Sequence, residues 1–220
     1  ANNCDSVFLG NWNDMEMGNY LDDFIGSDVM RSAYYGYNGD SVDNGSNGYG
    51  AHPPAQAVVT LQGPSMNPQG TFYNSWNSLI GNRIGTLPMT NFMCYNNDFS
   101  SAGNPTDLLH SYNYLRSFWK NNQHAVYGGF IDTSGIGTSC NYMFPWDSDP
   151  HGWGTNNVPQ SPWSDFLVSA NPTDIRGIGA SGPFTFHAGE VLCIDYAYVF
   201  ARSDTGDNID AIRVMRQAID

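Results

Sequence analysis

The stretch Pro183-Phe184-Thr185-Phe186, His187-Ala188-Gly189-Glu190, Val191-Leu192-Cys193-Ile194-Asp195-Tyr196-Ala197-Tyr198-Val199-Phe200-Ala201 decides the fold class. Its first four residues read as a strand, the His-Ala-Gly-Glu run as a turn, and Val191 to Ala201 as the return arm of a β-hairpin. That arm is apolar on both faces. Leu192, Ile194, Tyr196, Tyr198 and Phe200 alternate with Val191, Cys193, Ala197 and Val199. A strand covered on both sides belongs in the middle of a sandwich or under a helix. The expected architecture is therefore mostly β, a β-sandwich-like domain with two packed α-helices and long ordered loops.

Upstream of the hairpin, Val7 to Trp12, Val29 to Tyr37, Ala57 to Leu61 and Phe92 to Tyr95 read as further strands. Asn13 to Asp28 reads as a polar turn. Three Asn-Gly pairs (Asn38-Gly39, Asn44-Gly45, Asn47-Gly48) favour positive φ and tight turns. Residues 63 to 88 read as loop, and Gly128 to Gly179 as irregular but packed, since its tryptophans are too costly to leave in water. Asn104-Pro105 is a helix start, and Leu108, Tyr112, Leu115 and Trp119 would share one face of a helix ending near Lys120. Asp207 or Asn208 caps a final helix with an apolar stripe of Ile209, Ile212, Met215 and Ile219.

Composition agrees with a loop-rich β protein: 13% of the 220 residues are charged, 14% are aromatic, and Gly and Pro occupy 24 and 12 positions. The length suits one domain, residues 1–220, with a sizeable core. Eight basic against twenty-one acidic residues give a formal net charge of −13. That balance excludes nucleic acid as a partner, because phosphate binding needs a cationic face, and disfavours an anionic membrane surface. No run approaches the roughly 18 apolar residues of a spanning helix, so direct membrane insertion is not expected. The opening Ala1-Asn2-Asn3-Cys4 carries neither signal peptide nor initiator Met and reads as a processed or excised segment. Cys4, Cys94, Cys140 and Cys193 form no Cys-x-x-Cys clip, which argues against structural zinc. Their even number leans towards an oxidising compartment and up to two disulfides, in any of three connectivities.

The strongest chemical signal is Asp14-Met15-Glu16-Met17-Gly18-Asn19-Tyr20-Leu21-Asp22-Asp23, with Asp28 close behind. Calcium takes six to eight oxygens, and acids alternating beside a flexible glycine can wrap one. Asp14, Glu16, Asp22, Asp23 and Asp28 are the candidate ligands, with no basic residue before Arg31 to neutralise them. The spacing is not that of an EF-hand. Asn38-Gly39-Asp40, Asp43-Asn44 and Asp147-Ser148-Asp149 are weaker acidic clusters. Gly177-Ile178-Gly179-Ala180-Ser181-Gly182 spells a dinucleotide fingerprint, but it precedes Pro183 and a strand where that motif must open a helix. A single Asp204-Thr205-Gly206 lacks the second carboxylate of an aspartic-protease dyad. The five histidines never pair at ligand spacing.

The runs Phe8 to Asp14, Gly18 to Asp28, Tyr37 to Asp40 and Gly48 to Ala55 resemble a segment of large Bacteroidetes surface proteins exported by the type IX secretion system. Tyr95 to Asp98, Tyr112 to Leu115 with Trp119-Lys120, Tyr127 to Gly129, Met143 to Pro145, Asp147 to Pro150 and Ser181 to Thr185 continue the resemblance in order over nearly the whole chain. It implies export, an extracellular or cell-surface location, and membership of a longer exported protein whose sorting domain lies outside these residues. It implies little chemistry. Asp5-Ser6-Val7 and Asp40-Ser41-Val42 are similar to the Asp-Ser-aliphatic sites of Bacteroidetes O-glycosylation, which marks Ser6 and Ser41.

The resulting expectation is a non-catalytic structural or adhesive module, not an enzyme, stiffened by calcium. Its partners would be other surface proteins, copies of itself or the type IX export machinery. The rival expectation is a carbohydrate-binding or glycoside-hydrolase module that takes glycans on Trp76, Trp119, Trp146, Trp153 or Trp163. The first requires those tryptophans buried and the second requires them in an open aromatic patch.

Overall fold

A computed structural model describes residues 2–65 and 85–220. Among these described residues, nine strands form three sheets. The three-stranded sheet has the order β1-β8-β7, from β1 (Cys4–Asp14), β8 (Ile175–Phe186) and β7 (Asn91–Asn96). The four-stranded sheet runs β2-β3-β6-β9, from β2 (Asp23–Asp28), β3 (Ala33–Asn38), β6 (Ala55–Gln62) and β9 (Asp195–Ala201). β4 (Val42–Asp43) and β5 (Gly50–Ala51) make a small ribbon. Among the described residues there are two α-helices: α1 (Leu108–Leu115) and α2 (Asn208–Ile219). The fold is thus mostly β and sandwich-like with two helices, as its composition implies.

The four-stranded sheet occupies the middle. One face, with Ile25, Tyr34 and Val58, meets Phe92, Cys94 and Met89 of the other sheet and its margin. The opposite face, with Phe24, Tyr35, Tyr37, Ala57 and Val59, is covered by Ala211, Ile212 and Met215 of α2. α2 starts where the sequence places it. Asp207 caps it, accepting from the backbone of Ile209 and Asp210, and Asp210 returns the contact to complete a capping box.

The register explains the glycine alternation of β8. A Cβ on Gly177 or Gly179 would lie 2.7 Å from Ile25 or Tyr34. Their absence lets the Tyr34 ring lie flat on the strand, where it stacks on Phe92 with centroids 5.1 Å apart. The apparent dinucleotide fingerprint is therefore a strand designed around a tyrosine.

Four expectations are corrected. Pro183–Phe186 and Asp195–Ala201 do not form a hairpin: the former ends β8 in one sheet, and the latter pairs with β6 in the other. Nor is β9 buried on both faces. It is an edge strand whose Ala197, Val199 and Ala201 pack against the α2 layer while Tyr198 and Phe200 stay more than half exposed. The Asn13 to Asp28 turn contains a complete, fully buried strand, β2. α1 also begins later than expected, capped by Asp107 rather than Asn104, and Leu108 points to solvent while Asn113 and Tyr114 are buried.

β2 lies at the edge of its sheet, yet N–H groups that point away from β3 find acceptors. Ile25 N donates to Asp165 Oδ2 at 2.9 Å, Ser27 N to the Phe144 carbonyl at 3.0 Å and Val29 N to Ser148 Oγ at 3.0 Å. The irregular 143–165 segment thus plays the part of a neighbouring strand and closes an edge that would otherwise be sticky. The expected disulfides are not formed: all four cysteines are free, Cys94 and Cys140 buried, Cys4 and Cys193 exposed.

Candidate functional site

The five predicted calcium ligands do not come together. Asp14, on β1, pairs with Arg176 of β8 at 2.8 Å. Glu16 is exposed. Asp28 sits at the turn end of the β2–β3 hairpin, fully buried, with its Oδ2 against Arg216 Nε at 2.7 Å and Arg31 Nη1 at 3.2 Å. Arg31 also holds Asp220 at 2.7 Å, and Arg216 holds Asp147 at 2.7 Å while lying over the Trp146 ring. Burial pushes the Asp28 carboxyl up, and Arg216 and Arg31 pull against it. This end of the strand is an ion-pair network that fastens the last turn of α2.

Asp22 and Asp23 lie at the open end, below the loop formed by residues 15 to 22. Asp23 Oδ2 accepts from Met17 N at 2.7 Å, and Asp22 Oδ2 from Asn19 Nδ2 at 3.0 Å. Buried Asp43 ties in the next loop, accepting from Asn19 N at 3.2 Å and Tyr49 N at 2.7 Å. Gly18 is needed here: its φ is +84°, and a Cβ would sit 2.0 Å from Asp43 Oδ2. Burial raises the Asp23 carboxyl to about 8, and the charges of Asp22, Asp43 and Glu16 add to the rise. Asp22 is raised too, by burial and by Asp43 and Asp40. Among the described residues, no three His, Cys, Asp or Glu side chains are grouped to hold a metal ion by themselves.

Sequence reasoning gave Asn38 only a secondary place, within the Asn38-Gly39-Asp40 cluster, and missed Asp165. Asn38, opposite Asp23 across the β2–β3 ladder, is fully buried, and its Oδ1 has no donor. Asp165 is equally buried, with one oxygen on Ile25 N and the other unpartnered, and burial raises its carboxyl to about 8. The Asn38-Gly39-Asp40 turn was a signal for the first. Nothing local marks the second.

Of the tryptophans proposed as sugar platforms, Trp119 and Trp163 are buried, and their indole N–H groups donate to the carbonyls of Asp132 and Gly129, each at 2.8 Å. Trp146 and Trp153 are half-buried, and Trp76 lies outside the described residues. Trp12, which is not one of those five, is 51% exposed. Ser6 and Ser41 are both exposed. His110 meets Thr106 Oγ1 at 3.0 Å and Asp107 at 3.6 Å, but both contacts fall on Nδ1, so no proton relay runs across the ring. No family model matches the chain, and neither does any curated protein or solved structure with which it was compared.

Proposed function

We propose that the chain is a non-catalytic structural or adhesive module of an exported surface protein, stabilised by calcium. The observation that carries this reading is how its reactive-looking residues are spent. Trp119 and Trp163 are core with satisfied indoles, and Asp14 and Asp28 are bound to arginines. Half-buried Trp146 is stacked under Arg216. These side chains build a rigid body instead of an open aromatic cleft with two converging carboxylates. An extracellular address rests on the resemblance to type IX-exported segments and on the exposed Ser6 and Ser41. For adhesion, the exposed Tyr198 and Phe200 of edge strand β9, with Tyr49 packed on Phe200 at 6.2 Å, offer an aromatic surface to another surface protein or a second copy.

The test pairs two measurements. Thermal unfolding in millimolar calcium should show a midpoint several degrees above that in chelator, and a glycan array should stay blank. An unchanged midpoint removes calcium from the reading. Saturable glycan binding would replace the whole reading with the carbohydrate-binding one.

A further inference from the structure

At the open end of the β2–β3 hairpin, three side-chain oxygens are shut off from solvent and receive no hydrogen bond: Asp22 Oδ1, Asp23 Oδ1 and Asn38 Oδ1. Asp23 and Asn38 are direct cross-strand partners, so their side chains leave the sheet on the same face. Both are more than nine-tenths buried, at 3% and 0% exposure. Asp22 is the chain neighbour of Asp23 and its charge acts on it.

The amide orientation of Asn38 is not arbitrary. Its Nδ2 donates to the Asp40 carbonyl at 3.0 Å and faces Asp40 Oδ1 at 3.4 Å. Turning the amide over would set its oxygen against the two Asp40 oxygens, so the unpartnered atom is the oxygen. The other carboxylate oxygens are already engaged by Met17 N and Asn19 Nδ2. The charges acting on Asp22 and Asp23 are Glu16, Asp40, Asp43 and one another, all acidic.

Three orphaned oxygens need more than a proton can give. A proton on Asp23 and a buried water together supply three hydrogens, but they leave Asp22 beside Asp40 and Asp43 with no opposite charge. A hard divalent cation takes carboxylate and amide oxygens alike and neutralises that surplus charge. We propose that Asp22, Asp23 and Asn38 form a calcium centre at this end of the hairpin, with water filling the remaining positions. This rests on the calcium-stabilised reading above, and it moves the centre away from Asp14, Glu16 and Asp28. Calcium is favoured over magnesium because it accepts neutral amide oxygens and irregular coordination.

The test uses the whole chain, stripped with chelator, titrated with calcium chloride by calorimetry and melted with and without the ion. The wild-type midpoint should rise by about 5 °C or more at a hundredfold excess over Kd. Asp23→Asn and Asn38→Leu should melt alike with and without calcium, and Asp14→Asn should keep the wild-type rise. Asp22→Asn, at a half-buried position that tolerates change, should raise the calcium Kd at least tenfold even if the buried variants fail to fold. A wild-type rise that survives in folded Asp23→Asn and Asn38→Leu, or an unchanged Kd in Asp22→Asn, overturns this centre while leaving a calcium-bound module intact. No wild-type rise overturns both. An equal rise with magnesium at the same concentration overturns the choice of ion.

Discussion

β2 carries a buried aspartate at each end, and the two are held in opposite ways. Asp28, at the turn, has Arg31 and Arg216 on its carboxylate, and both cations counter the effect of burial. Asp23, at the open end, has Asp22, Asp43 and Glu16 for company, and all three make burial worse. The same residue type at nearly equal burial is thus a fastener in one place and a liability in the other. The difference lies in what the rest of the chain delivers. α2 brings an arginine to the turn end, and the loops between β1 and β5 bring more acid to the open end. A buried carboxylate with a cation supplied by the fold is complete, whereas one without it awaits a cation from solution.

The comparison can be broken at the turn end first, where the effect should be largest. Arg216→Ala leaves the fully buried Asp28 carboxylate with Arg31 as its remaining cation and removes the lid on Trp146. Urea unfolding should show a loss of about 3–5 kcal/mol, and a loss under 1 kcal/mol would mean that Asp28 does not depend on Arg216.

The middle of the strand comes next. Asp165 has a folded-state carboxyl raised to about 8 against an ordinary value of 3.8. The folded form therefore holds a proton that the unfolded chain releases, and stability is full below about pH 4 and falls as pH rises towards 8. The slope from this group is at most about 1.4 kcal/mol per pH unit. Tyr35, Tyr37 and Cys94, which share this pocket electrostatically, stay neutral throughout because burial pushes them up. Asp165→Asn keeps an acceptor for Ile25 N and should flatten the dependence of unfolding free energy on pH between 5 and 8. An unaltered slope would place the proton elsewhere.

Ser148→Ala should cost about 1–3 kcal/mol by removing the buried hydroxyl that accepts from Val29 N and donates to the Pro145 carbonyl, again read from urea midpoints. The smallest effect sharpens the comparison most. In chelator, Asp23→Asn should leave stability unchanged or raise it by about 1 kcal/mol, since it removes one of several like charges. A loss of several kcal/mol there would make the two ends alike.

The sequence showed the architecture more clearly than the placement of individual strands. α2 was legible to within one residue because its cap, Asp207 or Asn208, and the apolar stripe all lie within one element. β2 was not. Asp23, Gly26, Ser27 and Asp28 are poor strand formers, and what holds them is Asp165, Phe144 and Ser148, supplied from more than a hundred residues away. β9 misled in the other direction, because its Tyr and Phe side chains look buried and are not. The acidic loop was singled out as one unit, but its division was invisible: Arg176 claims Asp14 and Arg216 claims Asp28 only once the chain is folded. Asn38 lacked a charge to draw attention to it.

The closure of β2 by the 143–165 segment also sets a timetable. Ile25 waits for a partner 140 positions further along the chain. At the ordinary pace of synthesis that separation lasts about 7–28 s. Throughout that interval the first sheet has an unfinished border, open to any extended peptide that meets it. Chains cut short between β7 and Phe144 keep that border for good, and they should collect as aggregates while chains continuing past Asp165 stay dispersed. The seal on this domain is applied near the end of its making.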